Sequence, residues 1–130
     1  MAYQRPRVRI IAGLKCSGKK EEFYIRSLAE SSQEIPKKAR CQRTPIGRYT
    51  PDFEFEDKFI EIKSPGTFDV MLGRDSFIRG GKVSDLQWRK IQWVALNVRP
   101  VEILVMCKSP DHVLDIPEAE NITIKKIYQE

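Results

Sequence analysis

Histidine is nearly absent from this sequence of 130 residues: His112 stands alone. Cysteine is scarce as well, with Cys16, Cys41 and Cys107 widely separated. One histidine and three scattered cysteines provide no zinc-ligand spacing. An odd, dispersed set of thiols reads as reduced cysteines, and Cys107 is expected in the core at a strand end. His112 falls in a polar stretch after Lys108-Ser109-Pro110-Asp111 and reads as a loop residue, not a catalyst. No apolar run approaches the length of a membrane span. Residues 1–7 lack the apolar core of a signal peptide, so a cytoplasmic protein without a membrane partner is expected. The hydrophobic fraction of 41% and the eight prolines suit an ordinary globular chain. The length suits one domain over residues 1–130, with residues 1–16 as a basic N-terminal arm or strand.

Charge is unevenly spread. The net charge is +5, yet residues 1–50 hold twelve Lys/Arg against four Asp/Glu. The remaining residues hold eleven against fourteen. A basic part beside an acidic cluster suits a protein that grips a nucleic-acid backbone with cations and holds a metal with carboxylates. A basic protein with no such partner has the same asymmetry.

The acidic cluster has a pattern. Phe53 and Phe55 alternate with Asp52 and Glu54, and Ile60 and Ile62 alternate with Phe59, Glu61 and Lys63. Alternation marks strands, whose successive side chains point to opposite faces. A two-residue turn at Glu56-Asp57 sets Phe53 opposite Ile60 and Asp52 opposite Glu61. Phe53, Phe55, Ile60 and Ile62 then form the buried side, and Asp52, Glu61 and Lys63 gather on the other. Two acids on one face can hold Mg²⁺, which prefers hard oxygen ligands. Lys63 beside them can orient a water or meet an anionic substrate. A half-buried hairpin with a solvated charged face is the plainer alternative.

Elsewhere, helical spacing of Tyr24, Ile25 and Leu28 predicts a helix over residues 17–31. Ser84-Asp85-Leu86-Gln87 fits a capping box opening a second helix, with a stripe of Trp88, Ile91, Val94 and Ala95. Residues 101–106 read as a buried strand and residues 121–127 as an edge strand. Residues 32–47 are polar and basic and leave room for a strand that the pattern does not place. Residues 64–83 read as one long, glycine-bearing loop. Helix, hairpin, helix, strand gives an α/β domain with a mixed sheet.

Pro51-Asp52 followed by Glu61-Ile62-Lys63 resembles the signature of the PD-(D/E)xK nuclease superfamily. Tyr49-Thr50-Pro51-Asp52-Phe53 with Glu61-x-Lys63 resembles the small bacteriophage endonuclease I type of Holliday junction resolvase. Lys63-Ser64-Pro65-Gly66 with Ser84-x-x-Gln87 resembles the virus-type replication-repair nucleases, where the two pieces lie closer together. The resemblance covers roughly residues 17–106. It implies a restriction-endonuclease-like core, a mixed central β-sheet flanked by helices. It further implies an endodeoxyribonuclease that uses Mg²⁺, with Mn²⁺ as substitute, on DNA that includes branched forms. Action as a homodimer, a viral origin and a part in recombination or repair follow from the same likeness. By resemblance Asp52, Glu61 and the Ile62 carbonyl hold the metal, and Glu21 of the preceding helix completes the site, with Glu22 as its neighbour. Gln87 approaches the metal-bound water or a phosphate, or simply caps its helix.

Lys19, Lys20, Arg43, Arg48, Arg74, Arg79 and Lys90 are candidates for DNA-backbone contact, although any one such cation is more often a solvated surface charge. A non-cleaving DNA-binding module of the same fold is a second reading. Gly13-Leu14-Lys15-Cys16-Ser17-Gly18-Lys19-Lys20 also matches G-x-x-x-x-G-K, the start of a P-loop, but Lys20 replaces the metal-binding Ser or Thr.

Overall fold

The computed structural model describes residues 8–74 and 84–128. Nine strands and three helices run in the order β1 (Val8–Ile11), β2 (Leu14–Ser17), α1 (Lys19–Glu30), β3 (Lys37–Lys38), β4 (Gln42–Thr44), β5 (Gly47–Tyr49), β6 (Phe53–Glu54), β7 (Phe59–Lys63), α2 (Pro65–Met71), α3 (Leu86–Asn97), β8 (Val101–Cys107) and β9 (Ile122–Tyr128) among the described residues. The central sheet has the order β3-β6-β7-β8-β9, flanked by two separate hairpins, β1-β2 and β4-β5. β3, β6 and β7 pair antiparallel, whereas β7, β8 and β9 pair parallel. The chain is thus α/β with a mixed sheet. Among the described residues no helix is long and apolar enough to cross a membrane.

Alternation along β7 and β8 splits the core into two layers. Ile60, Ile62, Leu104 and Met106 face α1 and the β1-β2 hairpin, where they meet Phe53, Ile25 and Cys16. Phe59, Val101, Ile103, Val105 and Cys107 face α2 and α3, where they meet Phe68, Met71, Ile91, Val94 and Ala95. Cys107 is therefore a core residue at a strand end, as its setting in the sequence suggested. Full burial of each such side chain stabilises by about 1.5–3 kcal/mol. The stripe expected on the second helix is the one that packs, with Trp88 half-buried at its margin.

Several local expectations are corrected. Residues 32–47 contain β3 and β4. Residues 64–83 are not one loop, because Ser64 caps α2: its side chain accepts the Thr67 N–H while Thr67 Oγ1 accepts the Ser64 N–H. Ser64 followed by Pro65 was the available signal, since proline suits the first helical position. α3 begins after Asp85, and Ser84 Oγ accepts the Leu86 N–H without forming the expected box with Gln87. Residues 13–20 are no open phosphate loop. Ala12 and Gly13 take positive φ in the turn between β1 and β2, and Leu14–Ser17 pairs with β1. Backbone N–H groups committed to a strand ladder cannot curl around a phosphate as a P-loop does, so this stretch lacks the form of a P-loop.

Candidate active site

The β6-β7 turn forms at Glu56-Asp57, where the Phe55 N–H reaches the Lys58 carbonyl at 2.8 Å. This sets Phe53 opposite Ile60 and Glu54 opposite Phe59. Asp52 departs from the expected pairing. Its N–H bonds the Ile60 carbonyl at 3.0 Å, so it is not squarely opposite Glu61. The ladder opens there, and the Asp52 side chain stands in for the missing backbone acceptor: its Oδ2 accepts the Ile62 N–H at 2.7 Å. Because the N–H and C=O of one strand residue point to the same edge, the Ile62 carbonyl faces the same gap.

Alternation places Phe59, Glu61 and Lys63 on the α2-α3 face. The plainer alternative, a solvated charged face, does not hold, because α3 and the β4-β5 hairpin cover it. Glu61 is only 3% exposed. Its Oε1 accepts a hydrogen bond from the Tyr49 hydroxyl at 3.0 Å. Lys63 is half-buried and donates to Gln87 Oε1 at 3.1 Å. Asp52 is half-buried as well, so the centre meets solvent along the Asp52–Lys63 side.

The electrostatics follow from this crowding. Burial pushes the Glu61 carboxyl well above the ordinary carboxylate range, and the hydrogen bond and charge of Asp52 push it further. Lys63 and the Tyr49 hydroxyl pull it down without compensating. Burial likewise drives the Tyr49 phenol well above its ordinary value, with Glu61 and Asp52 adding to the rise. At neutral pH Tyr49 is therefore a hydroxyl donor. Two carboxylates this close cannot both ionise cheaply unless a cation lies between them. Asp52, Glu61 and the gap-facing Ile62 carbonyl are hard oxygen donors of the kind Mg²⁺ takes alongside waters. The residues present therefore fit the implied ion.

The other candidates divide. Gln87 joins the centre through Lys63. Glu21 does not: its Oε1 accepts from Lys38 Nζ at 2.9 Å and from the Ser17 N–H at 3.3 Å. Among the described residues no three His, Cys, Asp or Glu side chains group as metal ligands. Glu22 pairs with Arg9 at 3.7 Å. α1 packs its apolar side on the opposite layer of the sheet, which directs these acids away from Asp52 and Glu61.

Arg43 and Arg48 lie directly across from one another on the β4-β5 hairpin, both exposed. Lys90 lies over the turn of that hairpin: a methyl group on Gly47 would stand 2.8 Å from its Cε. Lys19 and Lys20 are exposed at the start of α1. Lys20 borders a cavity of about 700 Å³ beyond the carboxyl ends of β7 and β8, shared with Ser64, Pro65, Cys107 and Lys108. Arg74 is engaged instead with Asp69 and Asp115. Arg79 lies outside the described residues.

Two side-chain sets escaped the sequence reading. One is Tyr49, whose place three residues before Asp52 was visible but whose contact with Glu61 depends on the β4-β5 hairpin folding back. The other is the buried Glu54, which receives Arg40 and Arg99. No protein-family model matches the chain, and no curated protein or solved structure matches it significantly.

Proposed function

We propose that this protein is a metal-dependent endodeoxyribonuclease of the PD-(D/E)xK kind, built on a restriction-endonuclease-like core. The observation that carries the reading is the meeting of Asp52, buried Glu61 and Lys63 at the point where β6 leaves β7. Ionising a buried acid beside a second carboxyl is expensive, and a cation removes that cost. A solvated surface hairpin has no need of such an arrangement.

Asp52, Glu61 and the Ile62 carbonyl hold the ion in this reading. Bound there, Mg²⁺ or Mn²⁺ supplies charge opposite the scissile phosphate and lowers the pKa of a water. The Lys63 ammonium, steadied by Gln87, donates to that water or to a phosphate oxygen on which charge develops. Arg43, Arg48 and Lys90 meet backbone phosphates on the same side of the sheet, and Lys19 and Lys20 at its carboxyl end. Branched DNA and symmetric pairing of two chains are the substrate class and assembly that the sequence resemblance favours.

Supercoiled, linear and four-way-junction DNA, each with Mg²⁺ or with chelator, tests the reading. Metal-dependent cleavage that is lost in Lys63→Ala supports it. Tight binding without cleavage in any metal assigns the protein to the non-cleaving DNA-binding class instead.

A further inference from the structure

Tyr49 is the last residue of β5, and its hydroxyl reaches Glu61 from outside the central sheet. It is 4% exposed, with its ring in the layer that holds Phe59 and Phe68. Phenylalanine would fill that ring site equally well. The oxygen therefore serves the carboxylate, not the packing. It bonds Oε1, one of the two Glu61 oxygens, and so fixes the carboxyl beside Asp52.

The strand that ends in Tyr49 presents Arg48 to the opposite side, because neighbouring residues alternate. Arg48 faces Arg43 across the hairpin, and among the described residues neither has an acidic partner. Like charges directly opposed weaken a hairpin, and an anion set between them relieves it. The turn of the same hairpin rests against Lys90, one helical turn beyond Gln87. One short ribbon thus bears the cations at one face and the Glu61 hydrogen-bond donor at the other.

We propose that Tyr49 is a positioning residue: it fixes Glu61 for cation binding and fastens the arginine-bearing hairpin to the carboxylates, so that DNA on the hairpin and a cation at the carboxylates strengthen each other's binding. The proposal rests on the reading of Asp52 and Glu61 as a cation site. Coupling of this kind is reciprocal, so either ligand reports it.

The test compares the full chain with Tyr49→Phe and Arg48→Ala. Mn²⁺ binding is followed by loss of the free-ion electron paramagnetic resonance signal, and DNA binding by fluorescence anisotropy with and without Ca²⁺. In the unmodified protein Ca²⁺ tightens DNA binding about tenfold. Tyr49→Phe keeps its ion-free DNA affinity, loses that enhancement and binds Mn²⁺ more weakly. Arg48→Ala keeps its Mn²⁺ affinity without DNA and also loses the enhancement. If Tyr49→Phe retains both the enhancement and the Mn²⁺ affinity, the positioning role is overturned while the cation site stands. If the unmodified protein binds no Mn²⁺, the cation site itself fails and the proposal with it.

Discussion

Lys63 Nζ and Gln87 Oε1 lie 3.1 Å apart, joining the end of β7 to the first turn of α3. Gln87 takes no part in capping its own helix, so its amide is free to aim the ammonium. Lys63→Ala removes the charge and is expected to lower single-turnover cleavage by about 10²–10³-fold, the usual loss for a donor to developing charge. Gln87→Ala leaves the amine in place but unaimed, and a smaller loss of about tenfold is expected. Equal losses in the two variants would mean that Gln87 itself contacts the reacting groups.

Glu61 ties stability to pH and, in the proposed reading, to metal. Its carboxyl titrates well above the ordinary range in the folded chain, so the folded state holds a proton that the unfolded state releases. The resulting stabilisation is complete below the ordinary carboxylate pKa and is lost as pH rises toward the raised value. Without metal, the melting temperature of the unmodified protein should therefore fall relative to that of Glu61→Gln as pH rises from about 4.5. Mg²⁺ or Mn²⁺ should restore the unmodified protein at neutral pH and leave Glu61→Gln little changed. Differential scanning fluorimetry across a pH series reads both effects.

Glu54 behaves in the opposite sense and takes no part in the centre. Burial pushes its carboxyl up, but hydrogen bonds and charge from Arg40, with the charge of Arg99, bring it below the ordinary value. Arg99 also donates to the Phe55 carbonyl at 2.6 Å and lies over the Phe59 ring at 4.7 Å. Glu54→Gln should cost about 1–3 kcal/mol in urea unfolding at neutral pH, because it removes the buried charged acceptor that Arg40 and Arg99 share. The difference should shrink as pH falls through the lowered Glu54 pKa, where the unmodified carboxyl protonates as well.

Gly47 tests how the hairpin seats. Its φ of +132° lies where side chains are rarely accommodated, and Lys90 Nζ would lie 3.0 Å from an added methyl. Gly47→Ala should lower stability by about 1 kcal/mol or more and displace Lys90. Weaker DNA binding with unchanged Mn²⁺ affinity is expected, read by anisotropy and calorimetry.

Alternation and local chemistry made part of this fold legible. The turn at Glu56-Asp57, the Phe53–Ile60 pairing, the stripe on α3 and the buried strand β8 all follow from neighbours in sequence. What was not legible depends on distant chain segments. The charged face of β7 looked solvent-facing because nothing local announces that α3 and the β4-β5 hairpin cover it. β3 and β4 have too few residues for a periodic signal, and their strands form by pairing with β6 and β5. The trio Asp52, Glu61 and Lys63 could be read because ten residues and one turn connect its ends. Glu21 could not, since its direction is set by which layer α1 packs on, and the Lys38 amine waiting there comes from a strand too short to foresee.

In the proposed reading Asp52 and Glu61 share a cation beside Lys63. Calorimetric titration of the metal-free protein with Mn²⁺ measures this directly, with Asp52→Asn and Glu61→Gln in parallel. Saturable binding by the unmodified chain that is weakened by either substitution is the predicted result. No binding, or binding that survives both substitutions, would contradict the account.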